Sequence, residues 1–182
     1  MPTGRTHDRI TLWTLPWIVG LTLLFTRNTK LSLIIAGGFL FSGLMFGPDL
    51  DIYSIQFKRW GKLSFIWLPY QKMLRHRSLF SHGPIIGTTL RVIYFLSLLT
   101  FLGILILGVS QLVWGFDWNW QEFTLKLIKG YGGEAIALFL GLELGALSHS
   151  LSDWIVSASK RYQKTSPKPK RPTKRKTPQR RK

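Results

Sequence analysis

From Val92 to Phe116 the chain runs for 25 residues without a charged side chain, between Arg91 and Asp117. Its polar positions are few: Ser97, Thr100, Ser110 and Gln111. A helix packed on one side in water shows a polar face at helical spacing, and this run has none. Crossing the hydrocarbon core takes about 20 apolar residues, within a range of about 17–25. The segment therefore predicts a membrane-spanning helix, and everything else in the chain must be arranged around it.

Three further stretches resemble it. Ile10 to Thr26 and Leu31 to Gly47 are each 17 residues long and uncharged, at the short limit for a span. Ala135 to Ala158 is apolar but interrupted by Glu143, His149 and Asp153. A cleaved leader at the start is disfavoured, because Arg27-Asn28-Thr29-Lys30 follows Thr26 where small residues would be needed. Lys and Arg accumulate in cytoplasmic loops. Arg5 and Arg9 precede the first segment, and Lys58, Arg59, Lys62, Lys72, Arg75 and Arg77 lie between the second and third. Four spans with both termini in the cytoplasm satisfy this distribution, in a plasma or thylakoid-type inner membrane.

Between Tyr53 and Met73, Phe57, Trp60, Phe65, Trp67 and Tyr70 alternate with lysines and an arginine. That mixture suits the headgroup layer and predicts an interfacial segment, not a fifth span. Trp114, Trp118 and Trp120 are expected at the opposite interface. From Lys160 onward there are 12 Lys and Arg and no acid, out of a net charge of +17, so 13 basic and 8 acidic residues leave +5 for positions 1–159. The basicity is a property of the tail, and the chain is not read as a nucleic-acid-binding domain. With Pro167, Pro169, Pro172 and Pro178 among its charges, the tail is expected to be disordered. Its expected partner is anionic lipid headgroups, with a nucleic-acid or ribosomal contact as the alternative. The resulting architecture is all-α: a polytopic membrane helical bundle over residues 1–160, followed by a disordered basic tail over 161–182.

There is no cysteine, which excludes disulfides, iron–sulfur clusters and thiolate zinc sites. A metal would have to be held by imidazole and carboxylate. The four histidines, His7, His76, His82 and His149, all fall beside the predicted cytoplasmic face, together with Asp8, Asp49, Asp51 and Asp153. Any one of these has a plain structural explanation, as a cap or a turn residue; their shared depth is harder to dismiss. His149 and Asp153, four apart, project from one helical face. Ala137, Gly141 and Gly145 extend that stripe and allow close helix approach. Gly43 and Gly47 form a similar pair on the second segment. The second and fourth helices are therefore expected to touch and to bring Asp49, Asp51, His149 and Asp153 together. Zinc, manganese and iron all accept such ligands, and the candidates exceed one tetrahedral site. A two-metal site activating water for phosphoester hydrolysis is one outcome, with Arg75, Arg77 and Ser78 placed to meet an anion. Glu143 lies about 9 Å deeper than His149 and about 240° around the helix, so it is left outside the site.

The ordered series Gly4-Arg5-Thr6-His7-Asp8, Gly47-Pro48-Asp49-Leu50-Asp51, His76-Arg77-Ser78-Leu79-Phe80-Ser81-His82 and His149-Ser150-Leu151-Ser152-Asp153 resembles an uncharacterised metal-binding membrane protein family of cyanobacteria and archaea. That family is similar to YdjM-type membrane-bound metal-dependent hydrolases, grouped with zinc-dependent phospholipase C and fungal zinc nucleases. The resemblance covers about residues 4 to 161. It implies a helical fold with a divalent metal, zinc before manganese or iron, held by His7, Asp49, Asp51, His76, His82, His149 and Asp153. Asp51 and Asp153 are the candidate catalytic carboxylates. The chain departs from the zinc phospholipases in having residues before His7 and no second His-x-x-x-acid pair. The leading expectation is a metal-dependent hydrolase of a phosphoester or lipid-type substrate. The alternative is a non-catalytic metal protein of structural or regulatory role, and a transporter, suggested by Glu143, is a third.

Overall fold

The computed structural model describes residues 4–115 and 119–165. Among these the fold is all-α, with no strand. Helix α1 (Gly4–Thr26) and helix α2 (Thr29–Leu44) form an antiparallel hairpin. Its turn is set by Asn28, whose side chain accepts from the Leu31 amide at 3.1 Å and caps α2. A 3-10 turn at Pro48–Asp51 follows, with proline at its start, where a missing N–H is harmless. Short helices α3 (Ile55–Arg59), α4 (Leu68–Met73) and α5 (Leu79–His82) then wrap the end of the hairpin, with a second 3-10 segment at Gly61–Trp67. Two long helices complete the chain: α6 (Ile86–Trp114) and α7 (Trp120–Thr165).

Four helices are long and apolar enough to cross a membrane, within Gly4–Thr26, Thr29–Asp51, Ile86–Trp114 and Gln121–Tyr162. The last of these exceeds the expected segment at both ends. Helix α7 is 46 residues, or about 69 Å of rise, and residues 161–165, expected to begin the tail, continue it. The tail from 166 onward and the expected interfacial Trp118 lie outside the described residues, while Trp114 is exposed.

Helices α2 and α7 make the most extensive helix–helix contact among the described residues, and glycine is why. A Cβ at Gly145 would lie 2.6 Å from the Phe39 carbonyl oxygen, and one at Gly38 would lie 2.9 Å from that of Leu138. Gly141 meets the Ile35 backbone in the same way. The expected contact of the second and fourth helices is present, and Gly43 takes part in it through its backbone: a Cβ on Gly145 would lie 3.0 Å from the Gly43 amide nitrogen. A Cβ on Gly43 would point at Thr11 of α1, 2.5 Å from its Cγ2, and Gly47 faces the Gln56 side chain. One face of α2 thus receives α7 and another receives α1. Lys30 pairs with Glu134 at 2.6 Å at the far end of the α2–α7 contact.

The aromatic segment after α2 divides its side chains between inside and outside. It forms no fifth long helix, yet Phe57, Trp67 and Tyr70 are buried with Phe46, Leu50 and Leu142 in one core. Trp67 is wholly enclosed; it stacks on Phe95 of α6 at 5.9 Å and meets Phe46 edge-on at 5.5 Å. Burying one such side chain contributes about 1.5–3 kcal/mol. Burial pushes the Tyr70 phenol up to about 12, so it stays neutral. Tyr53, Leu63 and Phe65 remain on the outside. Charged Lys and Arg near these rings concealed an inward-facing subset that only tertiary packing selects.

Candidate metal centre

Four of the candidate ligands sit where a helix begins, ends or turns, and two lie within α7. His7 is in the first turn of α1, and Asp49 is in the 3-10 turn after α2. His76 lies between α4 and α5, beside Arg77, whose positive φ of 61° bends the chain back. His82 is the last residue of α5, and His149 and Asp153 are one turn apart on α7. The fold gathers these six into two triads of candidate ligand atoms: His7, His149 and Asp153 in one, and Asp49, His76 and His82 in the other. Within each triad the atoms lie within 4.8 Å of one another.

Asp49 connects the triads. Its Oδ2 is 3.3 Å from His149 Nε2, and its Oδ1 is 3.6 Å from His82 Nε2. In the first triad His7 Nε2 lies 3.4 Å from Asp153 Oδ1, and the His7 and His149 rings stack with centroids 3.9 Å apart. The triads differ in access. Side-chain exposure is 7% for His7 and 4% for His149, against 27% for His76 and 20% for Asp49. One triad is closed and the other is open on one side.

A family model described as "Uncharacterized metal-binding protein (DUF2227)" matches residues 2–163. The chain belongs to this family. No curated protein and no solved structure matches it. Metal binding is therefore the property shared across the family, and the two triads are where this member's side chains would provide it.

The hydrogen bonds around the imidazoles fit that property. Ser152 Oγ donates to the His149 carbonyl at 2.8 Å and lies 2.7 Å from His7 Nδ1. With its one proton committed, Ser152 can only accept from His7, so Nδ1 carries the ring proton and Nε2 keeps its lone pair. Asp51, a carboxylate acceptor, takes His76 Nδ1–H at 2.9 Å and the Ser81 hydroxyl on its other oxygen. Ser81, its proton spent there, accepts from His82 Nδ1 at 2.5 Å. Three rings are thus locked as the tautomer that leaves Nε2 bare. The buried Nε2 atoms of His76, His82 and His149, with Asp49 Oδ1, have no hydrogen-bond partner among the described residues. Unpartnered buried nitrogens and oxygens are costly, and a cation held among them removes that cost. An outward Nδ1–H bond that fixes the tautomer is the usual support of a metal-bound histidine.

Six of the seven residues expected as ligands are thus brought together. Asp51 adjoins them but belongs to neither triad; it is 4% exposed and stands behind His76, with both oxygens engaged. Asp8 is also separate, accepting from Arg59 Nη1 at 2.9 Å. Ser81 and Ser152 went unnoticed in the sequence, although each immediately precedes a candidate ligand. Glu143 belongs to neither triad. Arg75 and Arg77 are exposed beside His76.

Proposed function

We propose that this chain is a membrane-spanning metalloprotein that holds two divalent cations, bridged by Asp49, and hydrolyses a phosphoester or lipid-type substrate at the cytoplasmic membrane face. The observation that carries the reading is the position of Asp49, with one carboxylate oxygen toward each histidine triad. His7, His149 and Asp153 would hold the closed ion, and His76 and His82 would hold the open one. Zinc suits these imidazole and carboxylate donors, with manganese or iron as the alternatives. Bound there, the ions supply Lewis acidity and lower the pKa of water. The open triad offers three donors, and its exposed side would admit substrate. Asp51 orients His76 and, through Ser81, His82; with its oxygens so used it is assigned no proton transfer. Asp153, a member of the closed triad, is likewise assigned no proton transfer. Arg75 and Arg77, exposed beside the open triad, would meet an anionic group of the substrate.

Membrane placement is supported by length as well as hydropathy. Between Glu134, which pairs with Lys30, and Asp153, α7 rises about 28 Å, against about 30 Å for the hydrocarbon core. The basic residues before α1 and between α2 and α6 support a cytoplasmic position for the metal centre. The basic tail would rest on anionic headgroups, each Lys or Arg near the surface contributing about 1 kcal/mol.

The burial of His7 and His149 favours a second reading, in which metal only pins the helix ends together. Hydrolysis of bis-(4-nitrophenyl) phosphate and of a fluorogenic phospholipid by the metal-loaded full-length protein decides between them. Catalysis predicts turnover that His76→Ala abolishes while the closed triad keeps its ion. Absence of turnover on both probes, with two ions bound, supports the structural role and overturns the hydrolase reading.

A further inference from the structure

Glu143 and Arg91 are 7% and 1% exposed, and neither belongs to a triad. Two charges so deep in an apolar helix pair need a reason. Both line one small cavity beside His82, which has room for about one water molecule. Their hydrogen bonds converge on the turn that links α5 to α6. Arg91 Nη1 donates to the Ser81 carbonyl at 2.9 Å, and its Nη2 donates to Thr88 Oγ1 at 2.9 Å. Glu143 Oε1, from α7, accepts the Ile85 amide at 2.9 Å.

Ile85 is where the backbone is strained. Its φ of 64° and ψ of −54°, with the Ile86 amide bonded to the Pro84 carbonyl at 2.7 Å, make a γ-turn of the rare, strained kind. A β-branched residue there is an outlier costing on the order of 1–3 kcal/mol. Packing does not enforce it, since the Ile85 side chain is 62% exposed. The Glu143 carboxylate on its amide, together with the Thr89 amide on its carbonyl at 2.8 Å, holds it there.

We infer that Glu143 and Arg91 are positioning residues for the open triad: by gripping the two ends of the Ser81–Ile85 turn they fix where His82 points. Arg91 holds the Ser81 backbone, Ser81 holds the His82 ring through Nδ1, and Glu143 holds the strained residue that returns the chain to α6. The inference rests on the two-metal reading and gives both buried charges a task at only one of the two ions.

The test is a zinc titration of full-length, chelator-stripped protein in detergent, resolving two sites in competition with a zinc indicator. Glu143→Leu should weaken the open site by about 10–100-fold, the usual loss for an outer partner of a metal ligand, and leave the closed site unchanged. Glu143→Gln keeps an acceptor for the Ile85 amide and should recover part of that loss. Adding Ile85→Gly to Glu143→Leu should restore much of it, because glycine adopts positive φ without strain. An open site unaffected by Glu143→Leu, an equal loss at both sites, or no recovery in the double variant would overturn the inference. A wild-type protein that takes up no zinc overturns the two-metal reading itself, and the inference with it; the three former outcomes leave that reading standing.

Discussion

Ser152 accepts the Nδ1 proton of His7 across 2.7 Å, because its own proton is committed to the His149 carbonyl at 2.8 Å. One hydroxyl thereby joins α7 to the first turn of α1 and turns His7 Nε2 toward Asp153. Replacing Ser152 with alanine removes the group that selects this tautomer and leaves no cavity of consequence. Zinc affinity at the closed site should fall by about 10–100-fold, with the open site unchanged. Equal affinities in Ser152→Ala and wild type, read from the same two-site titration, would refute the tautomer assignment.

Asp51 and His82 should behave differently when altered. Asp51 supports two histidines from behind and touches neither triad directly as a member. Asp51→Asn is expected to weaken the open site by about 10–100-fold yet leave the number of ions bound at saturation unchanged. His82→Ala removes a donor and is expected to lose one ion at any accessible concentration. If Asp51→Asn also loses an ion outright, Asp51 is a ligand and its placement behind His76 is wrong.

The glycine contacts between α2 and α7 make a stability prediction. Gly145→Ala places a methyl 2.6 Å from the Phe39 carbonyl oxygen, and such overpacking costs about 1–3 kcal/mol. At Gly108, on α6, an added methyl would meet nothing within 4 Å, so Gly108→Ala should be neutral or stabilising by up to about 1 kcal/mol. Thermal unfolding in detergent separates the two. Because Asp49 reaches His149 across the same contact, Gly145→Ala should also weaken metal binding.

These contrasts show what the sequence alone could and could not reveal. The long helices were readable because an uncharged run such as Val92–Phe116 has one stable outcome in lipid. The spacing of His149 and Asp153 exposed one half of a triad for the same reason, a fixed helical period. Asp49 and Asp51 were indistinguishable, being two apart around a turn. In a 3-10 turn of three residues per turn, positions two apart lie about 240° apart, which puts Asp49 between the triads and Asp51 behind one of them. The direction of Gly43 toward α1, and the inward set of Phe57, Trp67 and Tyr70, depended on which neighbour packed where. Ser81 and Ser152 carry no signal of their own until the histidine beside them has a known orientation.

Stripping the metal should loosen the whole helical end, since the six residues of the triads come from α1, α5, α7, the 3-10 turn and the segment before α5. A ligand present at a hundredfold excess over its Kd stabilises the folded state by about 2.7 kcal/mol. The unfolding temperature of the detergent-solubilised protein should therefore drop with a strong chelator and return with zinc. No change on either treatment would contradict a metal held by these elements.

The claim that Asp49 joins two metal sites is tested most directly by the metal content of the purified full-length protein, measured by mass spectrometry beside its Asp49→Ala variant. About two divalent ions per chain are expected in the wild type, and fewer in the variant, where the shared carboxylate is gone. A wild-type protein with no bound metal and no capacity to take any up would contradict it.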